Sequence, residues 1–296
     1  MSGPIPVLIN RGGGTAASKG DKLEAEIIDA FAKAGVEIDL QLVDGDELEG
    51  AAKAVAGQPL VVVGGGDGTL GRLAGILADK GSTLGILPLG TRNHLARELG
   101  VPLDLPGAAA LIAAGTVRAI DLARVNGEPF INNASIGLYP QLVRERDQRN
   151  TPKWIAAIPA TFAALSRIQH HRLHLSVPGP TKDSNIVTPM LFVGNNHYTL
   201  DAGQIGKRDA LDGGILSIYA VAARRRLALI GFAIRTLIGR ARRDSDFAAI
   251  GDPPGFEVSG RSEDIDIALD GEVITLKMPL RFECQAGALK VLAPAG

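Results

Sequence analysis

A glycine-rich segment with a single carboxylate follows an apolar run within the first hundred residues. Residues 60–63 (Leu-Val-Val-Val) have the composition of a buried parallel strand, and residues 70–77 then carry leucine and alanine at helical spacing. Glycines between a strand and a helix allow backbone N–H groups to approach a phosphate, and the helix N-terminus adds partial positive charge. Residues 64–69 therefore predict a phosphate-binding loop, with a tight turn that binds no ligand as the alternative.

Asp67 is the charged residue of this loop, and it does not fit a site built only from hydrogen-bond donors. A carboxylate beside phosphates repels them unless a cation lies between the negative groups. Asp67 therefore predicts a divalent metal in the same site.

Two further segments repeat the pattern of strand, turn and helix start. Residues 84–94 read as an apolar strand, a Pro/Gly turn and then hydroxyl and amide groups, and residues 10–15 (Asn-Arg-Gly-Gly-Gly-Thr) follow the first predicted strand. In a doubly wound sheet such turns lie on the same carboxyl edge, where ligands bind. The loops can therefore face one nucleotide, and Arg11 could contact a phosphate. A mobile surface loop is the alternative for residues 10–15.

The elements that must position these loops alternate between strand and helix. We expect strands at residues 7–10, 37–43 and 117–125, and helices at residues 22–34 and 107–114, in addition to the two loop units. This alternation is typical of a parallel sheet with helices on both faces. The first part of the chain is therefore expected to be an α/β domain.

From residue 126 the pattern changes to short alternating segments separated by Gly, Pro and Asn, which is typical of a β-sandwich. Two helical insertions are expected within it, and Asn126-Gly127 has the sequence of a hairpin turn. The predicted strands are residues 129–134, 172–177, 186–194, 215–221, 256–259, 265–269 and 273–276.

These motifs, in this order along nearly the whole chain, resemble the diacylglycerol kinase catalytic-domain family of lipid kinases, which includes sphingosine kinases and bacterial relatives. Residues 65–69 match its Gly-Gly-Asp-Gly-Thr motif, residues 90–94 are similar to its Gly-Thr-x-Asn-Asp element, and residues 132–138 resemble its linker and first C-terminal strands. Residues 211–214 and 269–272 resemble its later turns. Gly-Gly-Asp-Gly is shared with NAD kinases and some phosphofructokinases, whereas the late Asp-Gly-Glu favours lipid kinases.

The resemblance implies an α/β fold of the NAD kinase and diacylglycerol kinase type. It consists of an N-terminal three-layer nucleotide-binding domain with a parallel sheet and a C-terminal β-sandwich domain. We place the first domain at residues 1–125 and the lipid-substrate domain at residues 126–285, and expect residues 286–296 to pack back onto the first domain. With 296 residues, the chain suits two domains of ordinary size.

The resemblance also implies the chemistry, which is transfer of the γ-phosphoryl group of ATP to the hydroxyl of a diacylglycerol-like lipid with the help of Mg²⁺. Asp270 is the expected general base. Glu272 would point to the same side if both residues lie on extended backbone, where it could orient the base or hold a second metal. Asp67 and Asp121 are expected in an aspartate, water and Mg²⁺ network. Asp212 resembles a structural cation site, and plain Asp-Gly turns are the alternative at 212 and 270.

The nucleotide site implied by the resemblance draws on all three loops. Asp67 counts among its catalytic residues together with Asp270 and Glu272. The expected ATP-binding residues are Asn10, Gly64, Gly65, Gly66, Asp67, Gly68, Thr69, Gly90, Thr91 and Asn93.

Two positions depart from the family pattern. His94 stands where many lipid kinases carry an aspartate, which removes a negative charge but leaves a ring that could bind metal. Gly71-Arg72 stands where asparagine and glutamate are frequent, and we expect Arg72 to cover the helix surface. These departures leave a catalytically silent nucleotide or lipid sensor as one alternative function. A kinase of a soluble substrate, as NAD kinases are, is the other.

Composition excludes several classes. The net charge of −1 gives no reason to expect nucleic acid. The single cysteine, Cys284, excludes an intramolecular disulfide, suits a reducing cytosol and alternates with Phe282 as a buried, inert thiol would. Residues 1–6 do not resemble a signal peptide, and no apolar run has the length of a membrane span. We therefore expect a cytoplasmic protein with peripheral contact at the inner membrane face.

Two segments are candidates for that membrane contact. Residues 224–243 combine an apolar helical stripe with seven arginines, and residues 153–168 could wall a lipid-entry groove. A helix that packs in the core is the alternative for each. A homodimer is a further possibility.

Overall fold

The computed structural model of the chain describes residues 3–13, 20–137, 140, 170–178, 183–199, 207–208, 210–221 and 247–295. The chain divides into two compact units. The first unit comprises Met1–Leu122, Pro129–Asn132 and Gln285–Gly296, and the second comprises Ala123–Glu128 and Asn133–Cys284. The predicted helical insertions, the basic segment at 224–243 and the apolar segment at 153–168 lie outside the described residues.

A parallel sheet forms the centre of the first unit. Its strands are β1 (Ile5–Asn10), β2 (Ile38–Val43), β3 (Leu60–Gly65) and β4 (Thr83–Pro88), in the order β2-β1-β3-β4. The end of a long C-terminal strand, β18 (Leu280–Ala293), runs parallel to β4 and pairs with it through Lys290 and Val291. β3 and β4 are buried along their whole length, as expected of apolar strands that are covered on both faces.

Five helices accompany this sheet in the described part of the first unit. They are α1 (Asp21–Lys33), α2 (Leu48–Val55), α3 (Asp67–Asp79), α4 (His94–Glu98) and α5 (Leu105–Ala114). α1 packs against α5, and α2 packs against α3. Right-handed crossovers in a sheet of this order place the two helix pairs on opposite faces. The predicted three-layer α/β architecture is therefore confirmed.

Antiparallel strands form the second unit. One sheet has the order β14-β13-β10-β7-β16-β17, and the other contains the first half of β18 followed by β15, β8 and β9. The predicted antiparallel β-sheet architecture of the second part of the chain is confirmed. The strands are β7 (Asn133–Gly137), β8 (His171–Ser176), β9 (Ser184–Thr188), β10 (Met190–Asn195), β13 (Leu216–Val221), β14 (Phe247–Gly251), β15 (Gly255–Gly260), β16 (Asp264–Leu269) and β17 (Glu272–Lys277), with a separate short pair, β11 (Tyr198–Thr199) and β12 (Lys207–Arg208).

The predicted hairpin at Asn126-Gly127 is confirmed. It joins β5 (Thr116–Val125) to β6 (Glu128–Phe130), and both turn residues have positive φ, 50° at Asn126 and 90° at Gly127. Positive φ at both central residues is the property that makes Asn-Gly favourable in a two-residue hairpin turn. The Asn126 side chain holds the turn in place, because its Nδ2 donates to the Lys277 carbonyl at 2.9 Å and its Oδ1 accepts the Arg281 N–H at 2.7 Å.

Two strands and one burial prediction differ from expectation. β14 was not predicted, because its sequence Phe-Ala-Ala-Ile-Gly shows no alternation. The length of β18 was also missed, since its middle residues show no regular burial pattern where the strand leaves β15 and joins β4. The prediction of a buried Cys284 was wrong, because the residue is only half-buried, although it shares a strand face with the buried Phe282.

Candidate active site

The three predicted loops follow three strands of the parallel sheet in the first unit. β1 ends at Asn10, β3 at Gly65 and β4 at Pro88. The chain runs outward from β1 to β2 and then returns past β1 to β3, so the direction of winding reverses between β1 and β3. Ligands of open α/β sheets usually bind in the crevice at such a reversal.

The loops after β3 and β4 cross with their backbones in contact. A Cβ atom added to Gly90 would collide with the Cα of Gly66, and a Cβ added to Gly66 would lie 3.3 Å from the Cα of Gly90. Next to this crossing, the Leu89 N–H donates to the Gly65 carbonyl at 3.2 Å. Glycine is required at position 90 because a side chain there would separate the loops, whereas a side chain at position 66 would make a tight contact.

Gly64 and Gly65, which are among the predicted ATP-binding residues, lie where β3 packs closely against its neighbours. Both are buried at the end of β3. A Cβ on Gly64 would collide with the Ile9 side chain, and a Cβ on Gly65 would lie 2.6 Å from Cβ of Thr69. These glycines therefore let β3 pack closely against β1 and against the first turn of α3.

Asn10 connects the first loop to α3. Its Nδ2 donates to Oγ1 of Thr69 at 2.9 Å, and its Oδ1 accepts the Gly12 N–H at 3.1 Å. One amide thus holds both its own turn and the buried hydroxyl on the neighbouring helix. The structure brings these two predicted residues together.

Asn93 uses its amide to shape the loop after β4. It has a φ of 50° and is buried, and its Oδ1 accepts the Gly90 N–H at 2.9 Å. Its Nδ2 donates to the Gly90 carbonyl at 2.9 Å and to the Pro88 carbonyl at 3.3 Å. Both amide hydrogens are occupied within the loop, so the Asn93 side chain holds the loop after β4 in shape.

Asp67 joins the β3 loop to the start of α4. Its Oδ2 accepts the His94 N–H at 3.0 Å, and its Oδ1 accepts the Leu95 N–H at 3.1 Å. Donors at the first turn of a helix satisfy a carboxylate well, because they have no partner within the helix. The half-buried Asp67 carboxylate is therefore held by the first turn of α4, whether or not a cation also binds it.

The N-terminus of α3 offers backbone N–H groups that a ligand could bind. Its cap residue is Gly66, which has no side chain with which to cap the helix. The N–H groups of residues 66–69 lack partners within the helix and carry its partial positive charge. Thr91 lies exposed in the loop beyond the crossing. This arrangement of backbone donors suits phosphate oxygens.

In the second unit, Asp270 forms the turn between β16 and β17. Asp270 has a φ of 48° and Gly271 a φ of 95°, so the chain reverses at this point and Leu269 pairs with Glu272. The condition under which Glu272 would point to the same side as Asp270, extended backbone at both residues, is therefore not met, because two positive φ values form a tight turn. Glu272 lies exposed at the start of β17.

Asn133 fixes the Asp270 turn from the neighbouring strand. The Asn133 N–H donates to Oδ1 of Asp270 at 3.0 Å, and the Asp270 N–H donates to the Asn133 carbonyl at 2.9 Å. One carboxylate oxygen is thus held by the backbone of β7. Sequence reasoning grouped Asn133 with a linker motif and did not assign it this contact, which depends on the pairing of strands that are far apart in the chain.

Comparison with known proteins decides the family. Residues 4–125 match the model of the diacylglycerol kinase catalytic domain. A protein of Pseudomonas savastanoi pv. phaseolicola named probable lipid kinase YegS-like is 33% identical over 283 residues, which cover 92% of this chain and 90% of that protein. A protein of the same name from Pseudomonas aeruginosa is 31% identical over 258 residues, covering 86% and 83%. The chain belongs to the diacylglycerol kinase-like family of lipid kinases.

Solved structures agree with this family at the level of the fold. A crystal structure of a diacylglycerol kinase from Bacillus anthracis str. Sterne superposes with a TM-score of 0.70 at 21% identity, covering 98% of this chain and 96% of that one. A second crystal structure from the same strain gives a TM-score of 0.73 at 22% identity. The likeness confirms the predicted fold class of this lipid kinase.

The carboxylates predicted to bind metal in this lipid kinase lie on separate elements. Asp121 is buried on β5, and its Oδ1 accepts the Gly287 N–H at 2.8 Å. Asp212 lies exposed in a turn of the second unit, beside Gly213, whose N–H donates to Oδ1 of Asn196. No group of three His, Cys, Asp or Glu side chains suited to a metal occurs among the residues that the structure describes.

The two positions that depart from the family pattern, His94 and Gly71-Arg72, have different surroundings in the structure. The His94 side chain is exposed, while its backbone N–H binds Asp67, a contact that any residue at this position can make. Arg72 forms an ion pair with Glu49, with Nη2 and Oε1 3.1 Å apart, and so links α3 to α2. Arg72 is half-buried and contacts a neighbouring helix, so it does more than cover the surface of its own helix, which was the expectation.

Proposed function

We propose that this chain is an ATP-dependent lipid kinase that transfers the γ-phosphoryl group to the hydroxyl of a diacylglycerol-like lipid and requires Mg²⁺. One observation carries the proposal. Three turns at one edge of the parallel sheet are tied together by the Gly66–Gly90 backbone contact and the Asn10–Thr69 hydrogen bond, beside the first turn of α3, whose cap residue is a glycine. Membership of the lipid kinase family supports the same activity.

The loops of the first unit are proposed to bind the phosphates mainly through their backbone. The N–H groups at residues 66–69 and the exposed Thr91 hydroxyl are suitable donors to phosphate oxygens. Gly64, Gly65, Gly90, Asn10 and Asn93 would act indirectly, because their contacts hold the loops in position. A preorganised array of donors stabilises negative charge without a reorganisation cost during transfer.

Asp270 is proposed as the general base. Its carboxylate would accept the proton of the lipid hydroxyl while the hydroxyl oxygen forms a bond to the γ-phosphorus. The bond from that phosphorus to the β,γ-bridging oxygen breaks, and ADP leaves with the electron pair. The Asn133 N–H donates to Oδ1 of this carboxylate at 3.0 Å and so would hold the base in a fixed orientation. Glu272 is proposed to orient the base or hold a second metal.

The oxygen donors of the first unit fit a magnesium ion. Mg²⁺ prefers carboxylates and usually keeps several waters, with only one or two carboxylates besides the substrate phosphates. Asp67 and Asp121 are carboxylates held in place by backbone N–H groups, and carboxylate oxygen is the ligand type that Mg²⁺ prefers. We propose that these two residues hold the ion, which would neutralise charge on the phosphates. Asp212 is proposed for a separate structural cation.

The acceptor class implies where the enzyme works. A diacylglycerol resides in a membrane, so we propose peripheral contact of a cytoplasmic protein with the inner membrane face, and a homodimer remains part of the proposal. None of the helices in the described ranges is long and apolar enough to span a membrane.

The proposed function is tested with radiolabelled ATP. The purified chain is incubated with Mg²⁺ and either dioctanoylglycerol in detergent micelles or NAD. We expect label in the lipid and none in NAD, and loss of transfer when the ions are chelated. Label in NAD alone would assign a kinase of a soluble nucleotide. Nucleotide binding without transfer to a total lipid extract would assign a sensor.

A further inference from the structure

Three buried side-chain atoms lack a hydrogen-bond partner in the described part of the second unit. They are Ser135 Oγ, His171 Nε2 and Asn196 Nδ2. A buried polar atom without a partner retains the full cost of removal from water, so such atoms are rare in native proteins. Ser135 is only 2% exposed, and its hydroxyl can rotate to suit a partner of either kind. This hydroxyl therefore needs an explanation.

The position of Ser135 connects it to the proposed general base. Ser135 lies on β7 opposite Ala268 of β16, and Asn133, two residues earlier, contacts Asp270. Residues two apart on a strand share a face and are separated by about 6.6 Å. The unpaired hydroxyl is thus one step along the same sheet face from the residue that anchors the Asp270 carboxylate.

The two residues that pair with Ser135 across the sheet, Ala268 and Phe192, are apolar. Ser135 pairs across the sheet with Phe192, whose ring packs edge-on against Tyr198 with centroids 5.4 Å apart and lies 6.2 Å from the Tyr219 ring. Directly opposed residues in a sheet share a face, so Ser135 is flanked by the Ala268 methyl group and an aromatic cluster. Along β7 the residue whose backbone holds the Asp270 carboxylate is thus followed by one hydroxyl, which has aromatic rings beside it on the next strands.

That order of groups matches the polar end of an acylated alcohol. Such a molecule carries a free hydroxyl, then an ester carbonyl a few bonds away, then an apolar chain. We propose that Ser135 donates a hydrogen bond to an ester carbonyl oxygen of the acceptor lipid and so selects acylated alcohols over ether-linked or simple long-chain ones. The proposal rests on the proposed function, because it assumes that Asp270 faces the acceptor hydroxyl.

A second buried serine, Ser217, has a hydroxyl that is hydrogen-bonded within the protein. Ser217 is 0% exposed on β13 of the same sheet, and its Oγ donates to the Asn196 carbonyl at 2.7 Å. The two serines therefore have equal burial but opposite hydrogen-bond status. Ser217→Ala is a matched control for Ser135→Ala.

The test measures binding and turnover separately with two ligands, dioctanoylglycerol and its dioctyl ether analogue, which lacks both carbonyls. Binding to the full chain without ATP is measured by calorimetry, and kcat/KM is measured with ATP and Mg²⁺. In the unmodified chain we expect the ester to bind about tenfold more tightly than the ether, the value of one buried hydrogen bond. Ser135→Ala should abolish that preference by weakening ester binding alone, and KM for ATP should not change.

The controls separate ligand recognition from folding. Ser135→Ala should leave the urea midpoint unchanged or raise it, because it removes an unpaired atom, whereas Ser217→Ala should lower the midpoint and keep the ester preference. Equal binding of ester and ether by the unmodified chain, absence of binding, or equal losses for both ligands in Ser135→Ala would overturn the inference. If the ester preference depends on Ser135 but no phosphate is transferred, the inference stands and the proposed function fails.

Discussion

The glycine-rich loops of the first unit and the Asp270 turn of the second unit are built in different ways. In the first unit, close contact depends on the absence of side chains, as at the crossing of Gly66 and Gly90. In the second unit, ordinary side chains are placed by strand pairing, as when β7 brings Asn133 to Asp270. A change in the first region should therefore act through the backbone, and a change in the second through a single chemical group.

The largest expected effect comes from the charge at position 270. Asp270→Asn keeps an oxygen for the Asn133 N–H and a residue that tolerates a φ of 48°, so the turn should remain folded. It removes the base, and we expect kcat to fall by about 10²- to 10⁴-fold while ATP affinity changes little. Steady-state kinetics with nucleotide binding measured in parallel checks this. Retained turnover in a folded Asp270→Asn variant would remove the base assignment.

Substitution at the loop crossing should affect the backbone instead. The Cβ of Gly90→Ala would collide with the Cα of Gly66, and no side-chain rotation can relieve that contact. We expect ATP turnover to fall about 100-fold, as a displacement near 1 Å can cause. Gly45→Ala is the matched control, because a Cβ there meets no atom within 4 Å and the residue does not have positive φ. Equal activity of the two variants would show that the crossing does not shape the site.

The same two regions differ in how well their sequence reveals them. The glycines at 64–66 and 90 could be recognised in the sequence because close packing and a backbone crossing restrict the residue type there. The apolar runs of β3 and β4 likewise indicate buried parallel strands. The contact of Asn133 with Asp270 joins residues 137 positions apart and follows from strand order, which no local pattern encodes. For the same reason, the length of β18 and the environment of Ser135 were not predicted.

A smaller effect is expected from Asn93, which belongs to the first region but acts through a side chain. Asn93→Ala loses three hydrogen bonds and must hold a φ of 50°, so the free energy of unfolding should fall by about 3 kcal/mol. Asn93→Gly loses the same bonds without the backbone strain and should recover about 1 kcal/mol of that loss. Urea unfolding of both variants measures the difference. Identical stabilities would mean that the φ of residue 93 costs nothing.

The smallest expected effect concerns acid, and it should be specific to the second unit. Burial, and then the nearby charge of His170, lower the pKa of His171 on β8 below 6.5. The folded state then binds fewer protons than the unfolded state, so this residue contributes stability above pH 6.5 that is lost as the pH falls through its folded pKa. Urea unfolding between pH 7.5 and 5 should therefore show a decline in stability that His171→Asn reduces.

Hydrogen exchange can show which strands lose stability as the pH falls. Protonation of His171 charges a ring whose Nε2 is buried without a partner, so the strands around it should open first. Amides of β8 and its neighbours β9 and β15 should lose protection on acidification before those of β3 and β4. Earlier loss in β3 and β4 would mean that acid acts on the parallel sheet instead. The same order in His171→Asn would mean that another group is responsible for the acid sensitivity of the second unit.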